Sequence, residues 1–356
     1  MSKISNDRKK KIVAIWLLVG VFMLFVQVIL GGLTRLTGSG LSMTEWAPLM
    51  GFIPPTTHEE WMKAFEGYQQ IAQYKYVNNH FDLSEFKFIF YWEWFHRNWA
   101  RFIGFVFLVP FFYFLVKKYF TKDMVKPIIL LFVIGALQGF IGWYMVSSGL
   151  NGSSLLRVSH IRLSIHLLTA MVLLGYTLWF ALKILIPTEK TVKSSQTRGF
   201  FIITVVILGV QLAYGAFMAG IPAALSAPTW PTINGAYVPG GMMKHSWIND
   251  PINVQFIHRN IAYLLCILIP IGFYMTWKLA QKNPSSILKK VMIYPLILVA
   301  TQVTLGIFTV INSPYIKVGK FGMYEYLSQT HQAVAMLLFV SLVIVIYVVR
   351  SEKEHV

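Results

Sequence analysis

Eight long runs of hydrophobic residues, separated by polar segments, organise the chain. An α-helix needs about 20 apolar residues to cross the hydrocarbon core of a bilayer. The pattern predicts eight membrane-spanning helices, at about 12–32, 98–116, 127–147, 159–182, 199–219, 258–277, 291–311 and 327–349. Strands of a membrane β-barrel would be shorter and would alternate apolar with polar side chains. The pattern therefore indicates an all-α polytopic membrane protein.

Composition and charge agree with this interpretation. Of the 356 residues 56% are hydrophobic and 13% are charged, about half the charged fraction of a soluble domain. The formal net charge of +17 could suit nucleic acid, but its distribution argues for a membrane. The predicted inner segments hold 19 of the 31 basic residues: Lys3, Arg8, Lys9, Lys10, Lys11, Lys117, Lys118, Lys122, Lys126, Lys183, Lys190, Lys193, Arg198, Lys278, Lys282, Lys289, Lys290, Arg350 and Lys353. This positive-inside pattern places both termini in the cytoplasm and argues against a nucleic-acid partner.

The first hydrophobic run follows basic residues but has no clear small-residue cleavage site, so we expect an uncleaved first span. The short basic N-terminus favours a multi-pass protein of a bacterial plasma (inner) membrane over a mitochondrial one.

The second half of the chain repeats the first. The tripeptide HRN at 96–98 recurs at 258–260, LQGFIGWYMV (137–146) resembles TQVTLGIFTV (301–310), and LSIHLLTAM (163–171) resembles SQTHQAVAM (328–336). An even number of spans in each unit gives both units the same orientation in the membrane. This predicts two parallel four-helix-bundle repeats, residues 1–190 and 191–356. The first repeat has the longer outer loop, at about 33–97.

Four histidines recur at matched positions of the two halves: His96, His166, His258 and His331. The pattern places His96 and His258 at the outer mouths of their helices, and His166 and His331 one to two turns inside theirs. Each half then offers two imidazoles at a similar outer-leaflet depth, which suits a haem held between facing helices. A hydrogen bond between helices is the alternative role. Zinc is disfavoured, because two imidazoles without Cys or Asp make a poor structural zinc site.

Charged residues beside these histidines differ between the halves. Arg97 and Arg259 follow the first histidine of each half, where they could pair with haem propionates or extend to lipid headgroups. Glu93 precedes His96 by three residues, whereas Gln255 stands at the equivalent place in the second half. In a helix, the carboxylate and the imidazole would share a face. This indicates that the first half performs chemistry and the second carries a resident cofactor; a surface ion pair between Glu93 and Arg97 is the alternative.

Four segments together resemble the haem A synthase family. They are GGLTRLTGSGLSMTEWAPLMGFIPP (31–55), EFKFIFYWEWFHRNWAR (85–101), HRN (258–260) and SQTHQAVAM (328–336). The resemblance covers nearly the whole chain and is greater to the mitochondrial and proteobacterial branch. It implies an oxidoreductase that converts the C8 methyl group of haem O to a formyl group, through hydroxylated intermediates with oxygen from water. The product, haem A, is used by terminal oxidases.

The resemblance also implies residue roles and partners. His258 and His331 would ligate the iron of a resident haem b, His96 and His166 would face the iron of the substrate haem O, and Glu93 matches a glutamate considered important for catalysis. The haem sites would lie toward the outer face of the membrane. Expected partners are a haem O synthase, terminal-oxidase assembly factors, a quinone or another electron acceptor, membrane lipid and a second copy of the chain.

The chain departs from the family pattern in its outer loops, and two other functions stay open. Its one cysteine, Cys266, lies in a predicted span, so a cysteine pair in the first outer loop, which some members carry, is absent. The second outer loop, at about 220–257, lacks an acidic residue near Gly220–Ala224. A dihaem b-type electron-transfer cytochrome would explain the four histidines, but not the difference between Glu93 and Gln255. A haem-free transporter would explain only the repeat and the polar membrane residues.

Overall fold

Eight long apolar helices dominate the computed structural model, which describes residues 3–45, 51–150, 153–283, 287–317 and 320–351. Within these ranges, eight helices are long and apolar enough to cross a bilayer, as predicted. They are α1 (Lys3–Leu36), α3 (Leu83–Val116), α4 (Lys122–Val146), α5 (His160–Leu185), α6 (Ser195–Gly220), α8 (Pro251–Lys282), α10 (Tyr294–Ile311) and α11 (Met323–Val348). The prediction of an all-α polytopic membrane protein is confirmed.

Short elements connect these helices. Three are short α-helices, α2 (His58–Gln69), α7 (Ala223–Ser226) and α9 (Leu288–Val291). Single turns of other helix types lie at Tyr74–Asn78, Ser147–Gly149, Thr188–Lys190, Met242–Lys244 and Ser313–Tyr315. Two short parallel strands, β1 (Val192–Lys193) and β2 (Val349–Arg350), pair the segment before α6 with the end of α11. This pairing ties the middle of the chain to its C-terminal region.

The second and sixth spans begin earlier than the hydrophobic pattern predicts. Helix α3 starts at Leu83 because Asp82 and Glu85 form a capping box, in which each side chain accepts a hydrogen bond from the other's backbone N–H. Helix α8 starts at Pro251, where Asp250 caps the helix. These caps, not the apolar runs, decide where the helices begin. The outer segments are therefore shorter than predicted, residues 37–82 and 221–250.

The predicted mouth positions of His96 and His258 are consequently wrong. His96 lies about 20 Å along its helix from Leu83, and His258 lies about 10 Å from Pro251, at 1.5 Å of rise per residue. His166 and His331 lie about two turns inside α5 and α11, as expected. All four imidazoles therefore sit on continuous helix, where packing against a neighbouring helix fixes their positions.

The helices are arranged with α1, α5, α6 and α11 toward the centre, and α3, α4, α8 and α10 more exposed. Among the first four spans, α1 packs against α3 and α5, and α4 packs against α5. Among the last four, α6 packs against α8 and α11, and α10 packs against α11 and α8. The two groups meet mainly along α5 and α6, with a further contact between α1 and α11. One continuous apolar core runs through both groups.

Residues 57–78 of the first outer segment form an ordered cap, not a linker. Trp61, Phe65 and Tyr68 of α2 pack on Phe86 and Phe90 at the start of α3, forming a separate apolar cluster. The Tyr68 hydroxyl donates to Gln73 and accepts from Asn78. Burial raises the pKa of this phenol to about 12, so it stays neutral at physiological pH. The cap is thereby fixed to the outer third of α3.

Candidate functional site

Each of the four repeated histidines faces a glycine on the helix that precedes its own span. An added Cβ would lie 3.0 Å from Cε1 of His96 at Gly31, of His166 at Gly142 and of His331 at Gly306, and 3.4 Å from that of His258 at Gly215. Three of these contacts are tighter than an ordinary side chain permits. The glycines therefore let the imidazoles approach the neighbouring backbone.

A glutamine lies one turn before each of these glycines and contacts the same imidazole. In the first half, the amide nitrogens of Gln27 and Gln138 lie 3.2 Å from Nδ1 of His96 and His166. They also donate to the carbonyl oxygens of the same histidines, at 3.2 and 3.0 Å. This double contact holds both the ring and the backbone of each histidine.

The second half shows the same arrangement with a different ring nitrogen. The amide nitrogens of Gln211 and Gln302 lie 3.3 Å from Nε2 of His258 and His331. Nδ1 of His331 also donates to the carbonyl oxygen of Gln302 at 3.0 Å. Nδ1 of His258, in contrast, is buried and has no partner among the described residues. The polar contacts of the second pair are thus incomplete.

The sequence carries a signal for this arrangement, although its glutamines and glycines were not predicted to contact the histidines. A glutamine followed four residues later by a glycine occurs on α1, α4, α6 and α10, in the stretches QVILG (27–31), QGFIG (138–142), QLAYG (211–215) and QVTLG (302–306). Residues four apart share one helix face. One two-residue motif thus marks all four helices that face a histidine.

His258 and His331 face each other closely, with ring centres 6.5 Å apart and ring planes at 67°. Metal–nitrogen bonds of about 2 Å and ring centres about 1 Å behind each nitrogen put two axial imidazoles of one iron about 6 Å apart. The observed spacing therefore fits a haem iron between these rings, and binding through Nε2, the nitrogen that haem irons take, would require each ring to turn from its glutamine. The structure thus brings His258 and His331 together as one of the two predicted pairs, and the pairing of His96 with His166 stays a prediction.

Glu93 is buried, with 2% of its surface exposed, and three donors surround its carboxylate. Oε2 accepts hydrogen bonds from the Ser42 hydroxyl at 2.7 Å and the Met43 backbone N–H at 2.8 Å. Oε1 pairs with Arg97 at 2.5 Å. The expected alternative, an ion pair between Glu93 and Arg97, is therefore present, but it is buried and not on the surface. Glu93 fastens the segment that follows α1 to the helix that carries His96.

Gln255 makes the matching contact in the second half, but with the opposite polarity. Its side chain is fully buried, and its amide nitrogen donates to the carbonyl oxygens of Ala223 and Ala227 at 3.3 and 3.1 Å. Glu93 therefore accepts hydrogen bonds from its outer segment, whereas Gln255 donates to its own. The sequence difference between the two halves corresponds to two different ways of anchoring an outer loop.

The two arginines predicted to meet propionates bind loop carbonyls in this structure. Arg97 donates to the Met43 carbonyl at 3.1 Å and to the Glu45 carbonyl at 3.3 Å. Arg259 donates to the carbonyls of Thr229 at 2.7 Å and Thr232 at 3.2 Å. Both guanidinium groups thus hold the loops that cover the outer ends of their helices. Their role toward propionates stays a prediction.

A polar cluster between the two histidine pairs escaped the sequence analysis. An added Cβ on Gly32 of α1 would touch the side-chain amides of Gln329 and Gln332 of α11. Gln332 donates to the Val28 carbonyl at 2.9 Å. Both amide atoms of Gln329 and Nε of Arg35 are buried, with no hydrogen-bond partner within the described ranges. The helix that contacts His96 through Gly31 therefore contacts a polar part of α11, beside His331, through Gly32.

Comparison with known proteins gives a consistent result. The family model of the COX15-CtaA cytochrome oxidase assembly proteins matches residues 14–344. A protein of Flavobacterium psychrophilum named Heme A synthase is 40% identical over 340 residues, which cover 93% of this chain and 96% of the relative. Proteins of the same name in Flavobacterium johnsoniae and Bartonella henselae are 38% and 36% identical, over 88% and 93% of this chain and 93% and 90% of the relatives.

Proposed function

Because the chain belongs to the COX15-CtaA family of cytochrome oxidase assembly proteins, we propose that it acts in haem A biosynthesis as a haem A synthase. The observation that supports this best is the pairing of His258 with His331 at the spacing of two axial ligands of one haem. In this proposal the C-terminal region, 191–356, holds a resident haem b between these residues. The N-terminal region, 1–190, holds the substrate haem O between His96 and His166.

The reaction converts the C8 methyl group of haem O to a formyl group. One methyl group and one water molecule give one formyl group, four protons and four electrons, in two successive two-electron steps through an alcohol. The bound haems would supply the redox chemistry, and a quinone or another acceptor of similar potential would take the electrons. The chain's own residues must therefore orient the substrate, accept protons and admit the water molecule that reacts.

The residues around His96 are suited to hold the substrate in one orientation. Gln27 fixes the imidazole through its ring and its backbone, and Gly31 lets the ring approach α1. Glu93 lies one turn before His96 and is itself fixed by Ser42, Met43 and Arg97. In the proposal Glu93 places a carboxylate beside the reacting methyl group, where it accepts a proton or steadies a developing positive charge. Accepting a proton would require one of its three donors to move away.

Arg97 and Arg259 keep a second role in this proposal, toward the haem propionates. Each guanidinium carries five N–H groups in a planar fork, so a bound carboxylate would share it with, or displace, the loop carbonyls. The haem sites would then lie toward the outer face of the membrane, with both termini in the cytoplasm of a bacterial cell. A haem O synthase, oxidase assembly factors and a second copy of this chain are the proposed partners.

Haem extraction tests the proposal. The protein is purified after expression with and without a haem O synthase, and its haems are separated by chromatography. We expect haem b alone without the synthase, and haem b together with haem O or haem A when the synthase is present. Two haem b per chain under both conditions would instead indicate the dihaem electron-transfer cytochrome, which the comparisons do not favour.

A further inference from the structure

The matched helix pairs α3–α4 and α8–α10 pack differently. Helix α8 packs along α10, whereas α3 and α4, both described over their full lengths, make few contacts with each other. Their aromatic contacts lie toward the cytoplasmic end, where Phe132 packs edge-to-face on Phe111 and on Phe107, with ring centres 5.0 and 6.5 Å apart. Outward from these contacts, a gap separates α3 from α4. We call it the α3–α4 gap.

Small, exposed residues line the gap on both sides. On α3, Ala100 and Gly104 precede Phe111 by 11 and 7 residues, so they lie on the face that carries this ring. On α4, Ala136 and Gly139 follow Phe132 by 4 and 7 residues, and again share its face. All four are exposed. An added Cβ on Gly104 or Gly139 would meet nothing within 4 Å.

At the glycine positions the second half carries larger residues, whereas Ala100 and Ala136 match alanines, Ala262 and Ala300. The repeat offsets match Gly104 with Cys266, and match Gly135 and Gly139 with Val299 and Val303. Val299 is 6% exposed within the apolar core, and Cys266 packs against that core. An added Cβ on Gly135 also meets nothing within 4 Å. The opening therefore reflects a difference in residues as well as in helix packing.

The gap leads to the first histidine pair. Ala100 lies one turn from His96 on α3, and Gly139 lies three residues before Gly142, which contacts His166. At this end of the gap, Oε1 of Gln27 is buried and has no hydrogen-bond partner in the described part of the chain. The α3–α4 gap thus runs toward two imidazoles and toward the side chain of Gln27, whose amide nitrogen contacts one of them.

The outer side of α3, in contrast, is covered. Arg97 binds the carbonyls of Met43 and Glu45. Asn98 donates to the Phe52 carbonyl at 3.1 Å, and Arg101 donates to the Gly51 carbonyl at 3.1 Å. Just over one turn of α3, residues 97–101, is therefore tied to the first outer segment at three side chains. A ligand reaching His96 from the aqueous side would have to break these contacts, whereas one arriving from the bilayer would not.

We propose that the α3–α4 gap is the entrance through which a membrane-dissolved haem O passes sideways into the first histidine pair. Its apolar isoprenoid tail stays in the bilayer while the porphyrin passes between the small residues, because these residues leave the helices apart. The closed packing of α8 against α10 keeps the second haem resident. This inference rests on the proposed function, since it takes His96 and His166 as the substrate pair.

The test replaces the glycines of the α3–α4 gap with the residues found at the matched positions of α8 and α10. The variant Gly104→Cys/Gly135→Val/Gly139→Val carries the matched C-terminal residues. Gly209→Val is the control, because an added Cβ there also meets nothing within 4 Å, and Gly209 lies on the opposite side of α6 from Gln211. Protein containing haem b is reconstituted in lipid vesicles, and haem O is supplied from a second vesicle population. Absorbance then follows the loading and release of haem O.

We expect the triple variant to retain haem b at the wild-type level, while loading and release of haem O both slow by about 10-fold or more. A narrowed path slows both directions, whereas a lost binding contact would speed release. Loading at the wild-type rate would overturn the proposal. If the triple variant loses haem b, the single variants Gly104→Cys and Gly139→Val are measured in the same way, and wild-type rates in both overturn it.

Failure of the proposed function gives a different result. In that case the wild type and Gly209→Val would themselves take up no haem O from the vesicles, although both contain haem b. The inference about the gap would then fall together with the function on which it rests.

Discussion

Gly306 lies so close to His331 that an added Cβ would stand 3.0 Å from Cε1 of the imidazole, whereas the matching distance from Gly215 to His258 is 3.4 Å. Two imidazoles that face each other across one proposed haem are thus held against their neighbouring helices with different clearances. At Gly306 a methyl group would require the neighbouring ring to move by a few tenths of an ångström, whereas at Gly215 it would make an ordinary van der Waals contact.

This difference predicts unequal effects of the same substitution. In Gly306→Ala the methyl group must push His331 or α10 aside, at a cost of about 1–3 kcal/mol for overpacking. We expect a several-fold loss of haem b per chain, measured by extraction from purified protein. Gly215→Ala is the matched control and should keep haem b near the wild-type level. Equal losses in the two variants would show that clearance at the imidazole does not govern haem retention.

Substitutions of the glutamines that contact the histidines should affect the two sites independently. Gln302→Leu removes the amide that contacts His331, so its ring is held less firmly, and we expect reduced haem b and normal uptake of haem O into the first site. Gln138→Leu should keep haem b at the wild-type level and take up less haem O, because Gln138 contacts His166. Chromatography of both haems from both variants makes the measurement. If Gln138→Leu lost haem b while Gln302→Leu kept it, the assignment of haem b to the pair His258 and His331 would be contradicted.

Replacing Glu93 should stop the reaction without emptying the second site. Glu93→Gln keeps the shape of the side chain, but one acceptor oxygen must then serve Ser42, Met43 and Arg97. We expect haem A formation to fall by about 100-fold or more, while haem b is retained and haem O accumulates. Ser42→Ala, which removes one neutral donor and keeps the charge, is the control with a smaller effect. Full activity of Glu93→Gln would remove Glu93 from the mechanism.

Acid should loosen the start of α2. Hydrogen bonds from Thr56 and Thr57 lower the pKa of Glu60 from its ordinary value of 4.5. Its capping contribution is therefore complete above pH 4.5, and it is lost as pH falls through the lowered pKa. Hydrogen exchange of the first-turn amides of α2 should accelerate in that acidic range. Glu60→Gln should reduce this pH dependence, whereas Glu59→Gln, in the same turn, should preserve it.

The hydrophobic pattern predicted the spans well but the helix starts poorly. Eight apolar runs gave eight helices, because a bilayer demands long apolar segments with satisfied backbone groups. Leu83 was missed because residues 83–97 mix polar and aromatic side chains outside the apolar run. The capping signal of Asp82 and Glu85 was nevertheless present in the sequence. Local caps therefore carry information that hydropathy does not.

The parts of the site that recur in both halves of the chain were predictable from the sequence. The histidine pairs followed from matched positions, whereas the Gln27 and Gly31 contacts with His96 depend on how α1 packs against α3. The alternative of a Glu93–Arg97 ion pair followed from helical spacing, but its burial depends on Ser42 and Met43 lying over it. The α3–α4 gap depends on the absence of packing, which spacing along one helix cannot reveal.

The adjacent glycines of α1 have a consequence for how the two sites communicate. Gly31 contacts His96, and Gly32 contacts Gln329, which lies two residues before His331. Helix α1 therefore packs against both the helix that carries His96 and the helix that carries His331, and helices in contact have axes about 8–10 Å apart. In the proposed function, electrons that pass from the first site to the second would have to cross this helix. A bulky residue at Gly31 would press on His96 and one at Gly32 on Gln329 and Gln332, so either change should push α1 away from a helix that carries a histidine and disturb both sites at once.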